Sequence, residues 1–162
     1  MRVKLWGVRG SIPTPLSGDA IEQKLRKALA LARAGDISSD EAIDSFISSL
    51  SISLRGTYGG NTTCIEVVTS GGDLIILDCG SGMRALGHEL MKGEFGKGRG
   101  MGHIFLSHTH WDHIQGIPFF IPLYVKGNRF NFYSVFPDLE ERLAHQQAAT
   151  RGCLLMGQPL FE

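Results

Sequence analysis

The alternation of apolar and polar residues divides the chain into short strand-like and helix-like segments. Strand patterns, rich in β-branched and aromatic residues, occur in RVKLWGV, TCIEVVTS, DLIILD, HIFLS and RFNFYSV. The pair Gly71-Gly72 separates the second and third of these and predicts a β-hairpin. MRALGHELM and DLEERLAHQQ have helical character, IPFFIPLY continues the apolar, strand-like character, and KGEFGKGRGMG indicates a flexible loop. The pattern therefore predicts a mixed α+β fold.

A helical pair is predicted over residues 19–54. Asp19 with Glu22 and Ser38 with Glu41 form capping-box patterns, which mark the starts of two helices. The apolar positions of the pair recur at helical steps: Ile21, Leu25, Leu29 and Ala32, then Ile43, Phe46, Ile47 and Leu50. We expect a helical hairpin that covers a sheet edge or the mouth of a site.

Composition and charge are those of an ordinary globular domain. The 162 residues suffice for one domain with a core, and 43% of them are hydrophobic and 20% charged. The 16 basic residues balance 16 acidic ones, so net charge gives no attraction to nucleic acid or membrane. The N-terminus lacks the apolar region of a signal peptide, and the run IPFFIPLYV is too short to cross a bilayer. Three scattered cysteines, Cys64, Cys79 and Cys153, fit a reducing cytoplasm.

Three of the six histidines lie within the stretch SHTHWDHIQG, directly after a predicted strand. In extended chain His108 and His110 point the same way and converge on one point. If a helix follows, Asp112 and His113 face a second point nearby. Imidazole and carboxylate ligands in two pairs suit a dinuclear metal site, for zinc first and for manganese or iron as alternatives. The competing interpretation is a histidine-rich surface loop, and we favour the metal site.

The same stretch carries a resemblance to a known family. SHTHWDHIQG preceded by LIILDCGSGMRALG resembles the metallo-β-lactamase superfamily. WGVRGSIPTP and TYGGNTTCIEV resemble the branch with cyclic-nucleotide phosphodiesterases, phosphoribosyl cyclic phosphodiesterase and, more distantly, tRNase Z. The resemblance covers most of 1–17 and 55–143, which makes 19–54 a helical insertion. It implies an αββα sandwich with the metals at one edge, between two sheets.

The resemblance also assigns roles to individual residues. It makes His108 and His110 ligands of one metal ion, and Asp112 and His113 ligands of the second. Asp112 would in addition accept a proton during catalysis. Asp78, at the end of DLIILD, matches an aspartate that supports the metal-binding loop from below. An aspartate in this place is equally suited to cap the following helix, and the sequence leaves both roles open.

The sequence departs from the family in its second half. The family completes its site with further histidines and a bridging carboxylate from later in the chain. The remaining histidines here, His88, His103 and His145, lie in other contexts, and we interpret them as solvated or core residues. We therefore expect residues 1–162 to form one metallo-β-lactamase-like domain that holds only the N-terminal half of the fold. The rest would come from further chain or from a partner, with a homodimer as one form.

Three polar residues in glycine-rich loops are weaker candidates. Arg9 and Ser11 in RGSIP, and Asn61 in GGNTT, are placed to line a phosphate-binding rim. The alternative is that these loops only make tight turns, which the neighbouring glycines permit. The sequence alone favours this second interpretation.

The leading functional hypothesis is a metal-dependent hydrolase that acts on a small phosphodiester, such as a cyclic nucleotide, through a hydroxide shared by two metal ions. A hydrolase of thioesters or lactams is the enzymatic alternative, because the same hydroxide attacks acyl carbon. A truncated domain that binds metal or a partner without catalysis is the non-enzymatic alternative. The preference for phosphodiesters depends on the family resemblance.

Overall fold

The computed structural model describes residues 1–147, with side chains described through residue 144. The chain divides into two compact units, one formed by Met1–Thr14 together with the chain from Gly60 onward, and one formed by Pro15–Gly59. Cys153, one of the three scattered cysteines, lies outside the described residues. None of the helices in the described part combines the length and apolar character needed to cross a bilayer.

The first unit is built on a five-stranded sheet whose strands follow chain order. Its strands are β1 (Arg2–Gly7), β2 (Cys64–Val68), β3 (Leu74–Leu77), β4 (Met101–Leu106) and β5 (Arg129–Ser134). The β1–β2 and β2–β3 pairs are antiparallel, which confirms the hairpin predicted at Gly71-Gly72. The β3–β4 and β4–β5 pairs are parallel, so the carboxyl ends of these three strands meet at one edge.

Six helices occur among the described residues, and together with the sheet they confirm the α+β class. They are α1 (Gly18–Leu31), α2 (Asp40–Ser49), α3 (Ile52–Arg55), α4 (Gly82–Leu90), α5 (Trp111–Ile114) and α6 (Leu139–Gln147). Short 3₁₀ turns occupy Ala34–Ile37, Glu94–Lys97, Ile117–Phe119 and Ile121–Tyr124.

One face of the sheet forms the core. Side chains alternate between the two faces of a strand, so Ile76 of β3 and Ile104 of β4 lie side by side on the same face. Both are fully buried, as are Met83 and Leu86 of α4 in the same apolar cluster. Burying an aliphatic side chain of this size contributes about 1.5–3 kcal/mol, so this layer stabilises the unit.

The opposite face of the sheet is apolar and open. The register places Leu5, Ile65, Leu77, Phe105 and Tyr133 in one row across all five strands. Four of them are exposed, by 61% for Leu5, 38% for Leu77, 41% for Phe105 and 41% for Tyr133. Among the described residues of this unit, no element covers the row. With one face covered and the other open, the sheet corresponds to one of the two sheets of a sandwich.

Two segments differ from the sequence-based prediction. IPFFIPLY forms two 3₁₀ turns rather than strand-like structure, with a proline near the start of each. Proline fixes its own φ and lacks an N–H for sheet pairing, so these turns are the favoured local structure. The stretch predicted as a flexible loop is anchored by Phe95, which is only 8% exposed and whose ring stacks on Phe130 at 5.3 Å between centroids.

The second unit contains the predicted helical pair, with different caps. Ser17 caps α1 by accepting the amide of Ala20, and Ser39 caps α2 by accepting the amide of Ala42. The predicted caps Asp19 and Ser38 were therefore wrong by two residues and one residue. Serine is as good a cap as aspartate, and several polar residues precede each helix, so the pattern alone could not choose among them.

We expect the segment 19–54 to be dispensable for metal binding. The amide of Thr14 donates to the carbonyl of Gly60 at 2.7 Å, so the two chain ends that flank this unit are already adjacent. Replacing 19–54 by a short Gly/Ser loop should therefore leave the fold of the first unit and its zinc stoichiometry unchanged. Circular dichroism and calorimetric titration would check this, and loss of stoichiometry in a shortened, folded protein would contradict it.

Candidate metal centre

Three histidine rings of the SHTHWDHIQG stretch cluster beyond the end of β4. The strand ends at Leu106, and His110 is the N-cap of the short helix α5, which contains His113. The ring centroid of His108 lies 4.6 Å from that of His110 and 4.0 Å from that of His113. The chain thus turns from strand into helix, which is the condition that the sequence analysis set for Asp112 and His113 to take part in the site. It brings the three imidazoles into one group rather than into two clearly separate pairs.

Asp112 adds a carboxylate to this group. Its Oδ2 lies 3.4 Å from Nε2 of His113 and accepts the backbone amide of Ser11 at 2.9 Å. Burial acts to raise the pKa of Asp112, but the Ser11 amide and the neighbouring His113 outweigh it, and the pKa is lowered overall. The carboxyl group is therefore ionised at neutral pH, as a metal ligand must be.

Asp78 supports the histidines and does not cap a helix. Its carboxylate accepts the amide of Ser107 at 2.8 Å, the hydroxyl of Ser107 at 2.9 Å and Nδ1 of His113 at 2.9 Å. The following helix begins at Gly82 with Ser81 as its N-cap, so the capping role that the sequence left open is not the one observed. Asp78 also has a φ of 58°, in the left-handed region that a side chain rarely adopts.

Ser107, which the sequence did not single out, carries this support to a second histidine. Its hydroxyl lies 2.9 Å from Nδ1 of His108 and 2.9 Å from both carboxylate oxygens of Asp78. The single hydroxyl proton is donated to Asp78, so the hydroxyl oxygen is left to accept the Nδ1 proton of His108. His108 and His113 thus both keep their Nε2 lone pair for a metal ion, as ligating histidines usually do.

Removing the Ser107 hydroxyl should change the tautomer of one histidine only. In Ser107→Ala we expect His108 to lose its preference for the Nδ1-protonated form, whereas His113 keeps it through its own bond to Asp78. Nitrogen-15 NMR of the imidazoles in the metal-free protein measures both at once, and Ser107→Thr should restore the wild-type spectrum. Unchanged His108 signals in Ser107→Ala would show that the hydroxyl does not set its tautomer.

Two glycines allow the Asp78 loop to approach α5 closely. A Cβ on Gly116 would lie 2.1 Å from the carbonyl oxygen of Gly80, and one on Gly80 would lie 2.5 Å from that of Asp112. The resulting contact is held by the amide of Cys79, which donates to the carbonyl of His113 at 2.7 Å. The glycines of CGSG and IQG were visible in the sequence, but only the fold shows which backbones they bring together.

The three weaker candidates lie in loops beside the site. The amides of Val8 and Arg9 both donate to the carbonyl of Asn61 at 3.0 Å, which ties the two loops together. The Asn61 side chain accepts from the hydroxyl of Ser81 at 3.2 Å, so it braces loop packing. Ser11 reaches Asp112 through its backbone amide. Substrate binding by Arg9, Ser11 and Asn61 stays a prediction.

Other potential ligands have different surroundings. His88 is exposed on α4, and Nδ1 of His103 lies 3.1 Å from the hydroxyl of Tyr133. Burial, followed by the charge of Asp78, raises the pKa of Cys64 to about 12, and burial raises that of Cys79 well above its usual value. Burial thus disfavours the thiolate form of both cysteines in the metal-free protein. The side chain of His145 lies outside the described residues.

The donor set fits divalent metals in type, though not in number. Imidazoles beside an ionised carboxylate are ligands that zinc, manganese and iron accept. Among the residues that the structure describes, however, no three histidine, cysteine or acidic side chains are grouped so as to hold one ion. The described residues thus supply donors of suitable type, and the assignment of two ligands to each ion stays a prediction.

Part of the chain matches the model of a known family. Residues 56–127 match the model of the metallo-beta-lactamase superfamily, the segment that carries Asp78 and the histidine cluster. This match confirms, for that part of the chain, the superfamily that the motifs resemble. The five-stranded sheet with helices on one face is consistent with such a fold.

Curated relatives make the similarity more particular. The chain is 37% identical over 75 residues to Ribonuclease Z of Halorubrum lacusprofundi, an alignment that covers 43% of this chain and 23% of that protein. It is 38% identical over 76 residues to Ribonuclease Z of Haloferax volcanii, covering 41% and 22%. The chain thus matches less than a quarter of the length of these relatives. No solved structure matches significantly.

Proposed function

We propose that the protein is a metal-dependent hydrolase of phosphodiesters. The observation that carries the proposal is the grouping of three imidazoles and one carboxylate, in which Ser107 contacts Nδ1 of His108 and Asp78 contacts Nδ1 of His113. The superfamily match to residues 56–127 supports a hydrolase. We propose a pair of divalent ions, with zinc as the first candidate and manganese or iron as alternatives.

Each residue of the cluster has a distinct part in this proposal. His108 and His110 would hold one ion, and Asp112 and His113 the other. When bound, the ions would activate water and neutralise phosphoryl charge. Asp112, ionised and partly exposed, would also accept a proton, and Asp78 would hold His113 and, through Ser107, His108 in their ligating tautomers.

RNA belongs among the candidate substrates, against the expectation from net charge. The relatives are named Ribonuclease Z, a name that denotes a nuclease of RNA. The balanced charge argued against nucleic acid, but total charge does not describe the local surface beside a site. We therefore propose a phosphodiester in RNA or a cyclic nucleotide as the substrate, and the cyclic-phosphodiesterase branch is now one of two options.

Association and location complete the proposal. We propose that copies of this chain associate through the open face of the sheet when nothing else covers that face. The simplest such assembly is a homodimer. A cytoplasmic location is proposed because Cys64 and Cys79 are both free thiols in the described part of the chain.

The deciding experiment is a substrate panel on the protein with its metal site completed, either by further chain or by a partner, because residues 1–162 alone are expected to turn over no substrate. We expect structured RNA, a 2′,3′-cyclic nucleotide or bis(p-nitrophenyl) phosphate to be hydrolysed, with activity lost to a chelator and restored by zinc or manganese. A thioester and a lactam are the matched controls. Turnover of these controls alone would refute phosphodiester specificity, and metal binding without any turnover would favour the non-catalytic alternative.

A further inference from the structure

The loop at residues 8–12 contains a strained residue that contacts the metal centre. Ser11 has a φ of 64°, in the left-handed region where residues other than glycine are uncommon. Its backbone amide donates to Oδ2 of Asp112 at 2.9 Å, across 101 positions of sequence. Strain of this kind persists only where the surroundings impose it, and it is often found at functional sites.

The loop is fixed on both sides of Ser11. Before it, the amides of Val8 and Arg9 bond the carbonyl of Asn61 at 3.0 Å, and after it the amide of Thr14 bonds the carbonyl of Gly60 at 2.7 Å. Within the loop, the amide of Ile12 donates to the carbonyl of Gly10 at 2.8 Å. The Ser11 amide is therefore held at a set position relative to the sheet that carries the metal centre.

We propose that the Ser11 amide is a positioning group for Asp112. The Asp112 side chain is 14% exposed, and its Oδ2 lies 3.4 Å from Nε2 of the neighbouring His113, but a donor from another segment is needed to fix that oxygen relative to the sheet. The Ser11 amide is such a donor, and it leaves the other oxygen of Asp112 without this constraint. The functional meaning of this proposal rests on the metal site proposed above. The orientation of Asp112 itself can be measured without metal.

The test removes the amide while a control keeps it. Ser11→Gly retains the N–H and accepts a positive φ without strain, so its Asp112 should behave as in the wild type. Ser11→Pro lacks the N–H and cannot adopt φ of 64°. If that variant fails to fold, a backbone ester at position 11 removes only the donor.

In the metal-free protein, NMR couplings between Hα and Hβ of Asp112 should report one rotamer for wild type and Ser11→Gly, and averaged rotamers for the variant without the amide. Zinc affinity should then fall about 10- to 100-fold, as it does when other indirect partners of a ligand are lost. A single rotamer, or wild-type zinc affinity, in the amide-free protein would overturn the proposal. Failure of the wild type itself to bind zinc would count against the proposed function and not against the positioning role of the Ser11 amide. The two are separable because the couplings are measured in the metal-free protein.

Discussion

Replacing either His110 or Asp112 by alanine is expected to abolish phosphodiester hydrolysis while the fold remains intact. His110 is exposed and Asp112 is partly buried, but neither belongs to the apolar core, so their removal leaves that core untouched. Loss of a residue that only hydrogen-bonds a ligand weakens metal affinity about 10- to 100-fold. Loss of a ligand itself should weaken it by at least as much. Hydrolysis by the protein with its metal site completed by further chain or a partner, and zinc affinity by calorimetry, measure the two effects.

His88→Ala is the matched control for this prediction. His88 is exposed on α4, outside the histidine cluster, so its removal should change neither activity nor zinc affinity. Asp112→Asn is a second control on the fold, because it keeps the shape of the side chain and removes only its charge. Full activity in His110→Ala or in Asp112→Ala would remove the cluster from the mechanism.

Residues 1–162 studied alone are expected to associate, to bind zinc weakly and to turn over no substrate. The open row of apolar side chains crosses all five strands, and an exposed apolar surface of this extent is normally covered by another layer or chain. The described residues offer no set of three ligands for one ion, whereas catalytic zinc usually has three and a water. Sedimentation, zinc titration and the substrate panel measure the three properties.

Charges placed on the open face should reverse the association. In Leu77→Lys/Phe105→Lys, each uncompensated charge that is buried costs several kcal/mol, so we expect dimerisation to weaken by at least about 100-fold. Leu29→Lys adds the same charge in the other unit, on α1, and should leave sedimentation unchanged. A wild-type chain that stays monomeric at high concentration, or one that binds two zinc ions tightly and hydrolyses substrate, would contradict the prediction.

The sequence predicted the parts of the fold that depend on local chemistry. The strand patterns and the Gly71-Gly72 turn located the β2–β3 hairpin, because β-branched runs and paired glycines have few alternative structures. IPFFIPLY was misassigned because its apolar content was weighed above its two prolines. The caps of α1 and α2 were misplaced because adjacent polar residues compete for the same position.

The sequence indicated the cluster of His108, His110, Asp112 and His113 and offered Asp78 as one support, but it gave no sign of the other two supports. His108, His110, Asp112 and His113 are close in sequence, so their spacing already indicated a cluster. No feature of the sequence distinguishes Ser107 from the other serines, and only the fold shows that it lies between Asp78 and His108. The Ser11 amide has no sequence signature at all, because every residue except proline has a backbone N–H.

The brevity of α5 has a consequence for the dynamics of the site. A helix of four residues is not stable by itself in water, since nucleation alone costs more than so few bonds return. Its conformation is stabilised by the loop after β3, through the backbone hydrogen bonds that join Cys79 to His113 and to Gly116. Amide protons of α5 should therefore exchange with solvent at the same free energy as those of the β3–β4 ladder, as one cooperative unit. Any fluctuation that opens this loop disassembles the ligand helix and the histidine supports together, so the site exists only as long as the sheet edge beneath it stays closed.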